Sequence, residues 1–278
     1  MSQSDFTIAE NHTEFPGVVI DIIEWPHMRG MTDPRGLVAL AAARTAGAAA
    51  RQVRITIPQQ GEVTLEAGAL QFWRGRFDMD NRIPAGKVIK RLFGSAVTGE
   101  SVFRPTYRGK GEIWLEPSLG HFLVVNLEND TIIVDQGAFH ACDAAIKIEA
   151  RMQKNISSAV FGGEGLFQTA LSGTGFVVLQ SPVPDGELVK LEIAPGEKAV
   201  VDGPFALMRT DNIEFTVGKS ARTWVGSAVS GDGMLHTFEN RSQTPGLVWV
   251  SPLEPVYNAF SGFAAMVEGG ARPGGASR

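Results

Sequence analysis

Two short patterns recur three times along this chain at a common spacing, and the repeat limits the possible folds more than any other feature. A glycine, an acid and a small residue followed by apolar residues stand at Gly99-Glu100-Ser101, Gly163-Glu164-Gly165 and Gly231-Asp232-Gly233, so the leading glycines are 64 and 68 residues apart. Further on, a glycine opens an apolar run each time: Gly111 with EIWLEP, Gly175 with FVVLQS, Gly246 with LVWVSP. A second pattern, an apolar pair, an acid and a glycine turn, places Glu66 in TLEAGAL, Asp135 in IVDQGAF and Asp202 in VVDGPFA, 69 and 67 residues apart. A fixed period of this length means one supersecondary unit copied in tandem, each copy unable to bury its apolar face alone. The runs between glycines are short, and they alternate or are wholly apolar, as strands of sandwiches and barrels do. The two half-patterns are offset: the chain begins with the second and ends with the first. A ring-like closure, with the N-terminal half-unit paired to the C-terminal one, is therefore expected.

The same reading sets the boundaries. One β domain is predicted over 15–262, after a flexible N-terminus, 1–14, and before a disordered tail, 263–278, that includes GGARPGGASR. GVVIDIIE, from Gly17 to Glu24, reads as a first strand, and Val53, Ile55 and Ile57 alternate with Arg54 and Thr56 as a half-buried one. An insertion over about 29–51 separates them. Its turn-rich start is followed by one alanine-rich helix candidate, Leu37 to Arg51.

Composition removes several classes of function. Net charge is −5, which argues against general affinity for nucleic acid or anionic lipid. Cys142 is the one cysteine among 278 residues, so no internal disulfide forms and a reducing compartment is favoured. No apolar run reaches the length of a membrane-spanning helix, and the N-terminus resembles neither a signal nor a transit peptide. There is no Gly-x-x-x-x-Gly-Lys-Ser/Thr phosphate loop, no Gly-x-Ser-x-Gly elbow and no His-x-x-x-His ligand spacing among His12, His27, His121, His140 and His236. The glycine turns are read as structural, at positions that need positive φ.

The residues left as site candidates are acids first. Glu66, Asp135 and Asp202 would bind a cation through oxygen ligands if they converged on a pseudo-threefold axis; the competing reading makes each a cap for its own turn. Glu100, Glu164 and Asp232 take the same pair of readings. His140 and Cys142 share a face if their strand is regular; a zinc or thiol site is one reading there, and a half-buried strand with a small apolar thiol is the default. Lys87, Lys90 and Arg91 beside Leu92 and Phe93, followed by Arg104, Arg108 and Lys110, form a basic group read as a solvated face, with an acidic partner or lipid headgroups as the other reading. Trp73, Trp114, Trp224 and Trp249 are core or interface anchors, with Phe93, Phe103, Trp224 and Trp249 candidates for an apolar outer surface.

Five stretches in this order resemble the altered-inheritance-of-mitochondria family: GESVF at Gly99–Phe103, IVDQGAFHA at Ile133–Ala141, GGEGLF at Gly162–Phe167, LSGTGFVVLQS at Leu171–Ser181 and LEIAPGEKAVVDG at Leu191–Gly203. The resemblance covers roughly residues 53–253 and departs from the usual pattern at Leu37–Arg51 and in the third unit, which has GDGML. It implies an all-β fold of three tandem, pseudo-threefold related double-stranded β-helix units similar to the tryptophan RNA-binding attenuation protein. It also implies a homo-oligomer, often a trimer, with no established biochemical activity, and a fungal member is linked to organisation of the mitochondrial inner membrane; no cofactor is expected. The resulting expectation is a non-enzymatic protein that acts through self-assembly and binding of a protein partner or membrane surface, cytoplasmic or peripheral to a membrane, without nucleic acid. A small-ligand binding protein with a pocket between repeat units is the alternative.

Overall fold

Strands dominate, and glycine or acid turns bound most of them, as the short alternating runs predict. The computed structural model describes residues 6–80, 104–135, 137–153, 166–219 and 234–259. The strands are β1 (Thr7–His12), β2 (Val19–Trp25), β3 (Ala50–Leu65), β4 (Leu70–Asp80), β5 (Thr106–Leu115), β6 (His121–Val134), β7 (Phe139–Asp143), β8 (Lys147–Gln153) and β9 (Leu166–Ser181), followed by β10 (Val189–Ile193), β11 (Lys198–Asp202), β12 (Ala206–Thr210), β13 (Ile213–Lys219), β14 (Met234–Asn240) and β15 (Gly246–Val250). One sheet of twelve strands runs β1-β2-β3-β7-β9-β6-β12-β15-β10, with β4 and β5 joined to it through β3 and β8 through β9; β11, β14 and β13 form a second sheet. Every pairing is antiparallel.

The long strands bend where the sequence supplies glycines. β3 shifts register between Ile57 and Gly61, opposite Gly111 and Gly109 of β5. β6 shifts between Glu128 and Asp130, opposite Thr174 and Gly173 of β9, with Asn129 at φ +60°. Further along the chain the corresponding bend becomes a break: β10 and β11 lie in different sheets, as do β14 and β15. Asn240 holds that corner from inside. It is fully buried, its Nδ2 donates to the Ile193 and Thr244 carbonyls at 2.7 and 2.8 Å, and its Oδ1 accepts from Ser242 N and Oγ at 2.9 and 2.7 Å.

Three apolar clusters form the core. The first gathers β2, β3 and β5 with Phe176 and Val178 of β9. The second gathers β6, β7 and β9 with Leu207 and Met208 of β12. The third gathers β10, β13, β14 and β15 around Phe238.

Three expectations change. The N-terminal stretch expected to be free carries β1, which pairs with β2 from Thr7↔Glu24 to His12↔Ile20 and sends Asn11 Nδ2 to Asp21 Oδ1 at 2.7 Å. The helix α1 spans Pro34–Thr45, starting and ending earlier than its alanine content suggests. Pro34 suits a first helical position, Asp33 Oδ2 accepts from Gly36 N, and Gly47 at φ +75° closes the helix with Gly47 N to Arg44 O and Ala48 N to Ala43 O, a Schellman ending. The ring closure is not made by the described strands: β1 pairs with β2 and β2 with β3, β15 pairs with β10 and β12, and the sheet stays open between them.

Candidate functional site

The three repeated acids occupy the same place in their local structure. Glu66 follows β3, Asp135 follows β6 and Asp202 ends β11. Five residues after each comes a bulge in the next strand, at Gln71, His140 and Leu207, where the register with the partner strand skips one residue. The backbone links one such turn to the next bulge: Glu66 N donates to His140 O at 2.9 Å, and Asp135 N to Leu207 O at 3.0 Å. At Glu66 the carboxylate is not a cap for its turn. It accepts from Arg104 Nε at 2.8 Å, and the Arg104 guanidinium lies over the Phe139 ring at 5.1 Å. Among the described residues no three His, Cys, Asp or Glu side chains group as a metal site, so Glu66, Asp135 and Asp202 are not brought to one point there. Glu100, Glu164 and Asp232 lie outside the described residues, with Trp224, Phe93, Phe103 and the basic stretch Lys87–Arg91.

Strand junctions flank these turns. β3 meets β7 through Val63↔Asp143, Thr64↔Cys142 and Leu65↔Ala141, and β6 meets β12 through Ile132↔Thr210, Ile133↔Arg209 and Val134↔Met208. A hollow opens beside each. One, of about 360 Å³, is lined by Asp135, Ser118, Gln180, Ser251 and Glu254 beside Phe205 and Leu207. The other, of about 420 Å³, is lined by Gln59, Gln60, Glu62 and Asp143. Much of their polar lining is already engaged with neighbouring groups. Gln180 Nε2 donates to Ser118 Oγ at 2.8 Å, Ser251 Oγ to Glu254 Oε2 at 2.6 Å, Arg108 Nε to Glu62 Oε1 at 2.7 Å and Ala145 N to Asp143 Oδ1 at 2.8 Å.

His140 and Cys142 do not share a face. The bulge at His140 breaks the alternation, so the imidazole packs on Phe122 of the first cluster while Cys142 sits in the second. Burial pulls His140 down to about 4, and its Nε2 is buried with no hydrogen-bond partner. Burial, reinforced by Asp143, pushes the Cys142 thiol far up, which keeps it protonated and unreactive.

Two buried charges carry no sequence motif. Asp21 accepts from Arg54 Nε and Nη2 at 2.9 and 2.8 Å, across the β2–β3 pair Asp21↔Arg54. Arg209 donates to Gln168 Oε1 at 2.7 Å and to Ile213 O, its guanidinium 5.2 Å from the Phe215 ring centre; burial pulls it down to about 10. Trp114 and Trp249 act as anchors, Trp114 stacked on Phe72 at 5.3 Å and Trp249 against the second cluster, whereas Trp73 touches Tyr107 yet stays exposed. Among the described residues no helix is long and apolar enough to cross a membrane.

Comparison with known proteins adds the family. No curated protein matches the chain. The crystal structure of a protein from Streptococcus pyogenes superposes with a TM-score of 0.55 at 17% identity, covering 88% of this chain and 99% of that one, a likeness of fold. The family model described as "Mitochondrial biogenesis AIM24" matches residues 43–253, from within α1 to just past β15, and its description names a biogenesis role rather than a reaction. The motif resemblance and this match agree, and the chain belongs to the mitochondrial biogenesis AIM24 family.

Proposed function

We propose that the protein is a non-enzymatic β-structural scaffold that works by assembling with copies of itself and by binding a protein partner or membrane surface. In this reading residues 7–262, β1 included, form one body of three tandem, pseudo-threefold related double-stranded β-helix units, similar to the tryptophan RNA-binding attenuation protein. The homotrimer is the favoured assembly, in the cytoplasm or peripheral to a membrane. The observation that carries the reading is the repeated acid-to-bulge spacing, with Gln71, His140 and Leu207 each five residues beyond an acid and the same backbone bond joining two of these turns to the next bulge. A fold built of strand junctions at regular intervals supplies edges for assembly. Light scattering coupled to size-exclusion chromatography tests it: a 29.8 kDa species that persists at high protein concentration overturns self-assembly, and a dimer overturns the trimer alone.

The hollow of about 360 Å³ beside the β6–β12 junction favours a second reading, a small ligand held between units near Asp135. The internal hydrogen bonds of Ser118, Gln180 and Ser251 weaken it, because a ligand must displace bonds already made. A ligand that co-purifies in native mass spectrometry and is lost in Asp135→Ala would reverse the order of the two readings.

A further inference from the structure

The two junctions obey one register rule. At β3–β7 the residues one, two and three before Glu66 pair with those six, seven and eight after Asp135. At β6–β12 the residues one, two and three before Asp135 pair with those six, seven and eight after Asp202. Applied once more, the rule pairs the residues before Asp202 with those after Glu66: Val201↔Phe72, Val200↔Trp73 and Ala199↔Arg74. Among the described residues β4 pairs only with β5 and β11 only with β14.

Burial separates the junctions that are made from the one that is not. Leu65, Ala141, Val134 and Met208, in the made pairs, are 0%, 0%, 0% and 5% exposed. Phe72, in the place of Ala141 and Met208, is 46% exposed; Trp73, in the place of Cys142 and Arg209 (0% and 3% exposed), is 42% exposed; Val200, in the place of Thr64 and Ile133 (8% and 3% exposed), is 50% exposed; and Val201, in the place of Leu65 and Val134, is half-buried against the third cluster. Large apolar side chains on a strand with an unpaired edge form a template for another strand. Continuing the ladder two residues further sets Glu197 opposite Arg76, a favourable charge pair.

We infer that β11 of one copy of this chain adds to the outer edge of β4 of the next, in the register Val201↔Phe72, Val200↔Trp73, Ala199↔Arg74. The inference rests on the self-assembly reading above and names its surface. A second copy is the occupant because the chain carries both halves of the joint. Each copy then satisfies both of its open edges, which a foreign partner bound at one edge would not. The contact is head-to-tail, so it closes into a ring or propagates.

The test is disulfide trapping with Val200→Cys and Trp73→Cys, both exposed positions, in the full-length protein under a mild oxidant. Opposed strand residues lie within the Cα separation a disulfide spans. Mixing the two single variants is expected to give a covalent dimer of twice 29.8 kDa, with neither variant cross-linking alone. The double variant is expected to give a ladder of higher species. Val200→Lys, checked for an unchanged far-ultraviolet spectrum, is expected to raise the dissociation constant at least tenfold. A fast-migrating cross-linked monomer from the double variant would mean the chain closes on its own edge, and overturns the inference. So does self-cross-linking of Val200→Cys, which would mean symmetric edge pairing. An oligomer in light scattering that gives no cross-link in any mixture overturns this surface while leaving self-assembly standing; a monomer overturns both.

Discussion

Replacing Gly111 by alanine tests a close backbone approach between β4 and β5. Gly111 sits in β5 opposite Gly75 of β4 on one side and Ile57 of β3 on the other. Its φ is +135°, and a Cβ there would lie 2.1 Å from the Arg74 carbonyl oxygen, 2.8 Å from Gly75 Cα and 3.1 Å from the Arg74 carbonyl carbon. These are main-chain atoms of a hydrogen-bonded neighbour, so relief requires moving β4 off β5. Holding an L-residue at this φ costs about 1–3 kcal/mol. Overpacking against a well-packed neighbour costs about 1–3 kcal/mol more. A destabilisation of about 4 kcal/mol follows, and at roughly 2–4 °C per kcal/mol for a chain of this size the melting temperature falls by about 10 °C. Gly186→Ala is the control. Its φ is ordinary, a Cβ there meets nothing within 4 Å, and its effect should stay within about 0.5 kcal/mol. Thermal melts followed by circular dichroism, with urea midpoints as a second measure, decide the matter. If Gly111→Ala melts with the control, β4 and β5 do not approach this closely in solution and the bend at these glycines is misplaced.

Three further outcomes are expected. Asp21→Ala strands the Arg54 guanidinium and the Asn11 amide, and should cost about 3 kcal/mol in urea unfolding because one partner of a buried pair is lost; less than about 1 kcal/mol would show that the charge is solvated. His140 prefers its neutral form when folded, so the unfolded chain binds the extra proton first. Its contribution is complete above the ordinary value of 6.5 and is lost as pH falls toward about 4, by about 2 kcal/mol between pH 6.5 and 5, and His140→Leu should remove that part of the slope while His121 and His236, also lowered by burial, keep theirs. Filter binding to single-stranded RNA should show no tight, salt-sensitive complex, since the net charge is −5 and no basic stripe interleaves with the aromatics; a complex of that kind would restore nucleic acid as a partner.

Glycine and acid positions made much of this fold legible. Glu66, Asp135 and Asp202 each mark the end of a strand, and Gly111 and Gly175 fall where strands bend, because positive φ and turn chemistry are local requirements. Pairing is not local. The Asp21–Arg54 ion pair follows from the β2–β3 register, which is set by burial of Ile20, Ile22, Val53 and Ile55 and by no motif. His140 and Cys142 leave the shared face a regular strand would give them because a bulge shifts the two-residue period by one, and nothing in HAC announces it. β1 leaves no alternating signal because its residues from Thr7 to Asn11 are all exposed; a side-chain bond from Asn11 to Asp21 supports its ladder. Arg104 reaching Glu66, rather than the turn capping itself, depends on the segment leading into β5, 38 residues later.

The lone cysteine gives the molecule a built-in clock. Cys142 has no exposed surface, and its thiol stays protonated at neutral pH while β7 is in place. A thiol reagent can therefore act only during moments when that strand lifts away from β3 and β9, its two neighbours at Cys142. When reclosing outpaces labelling, the labelling rate divided by that of an unfolded thiol gives the equilibrium constant for that opening. The native chain, with no substitution, thus reports the local stability of a junction strand at its centre.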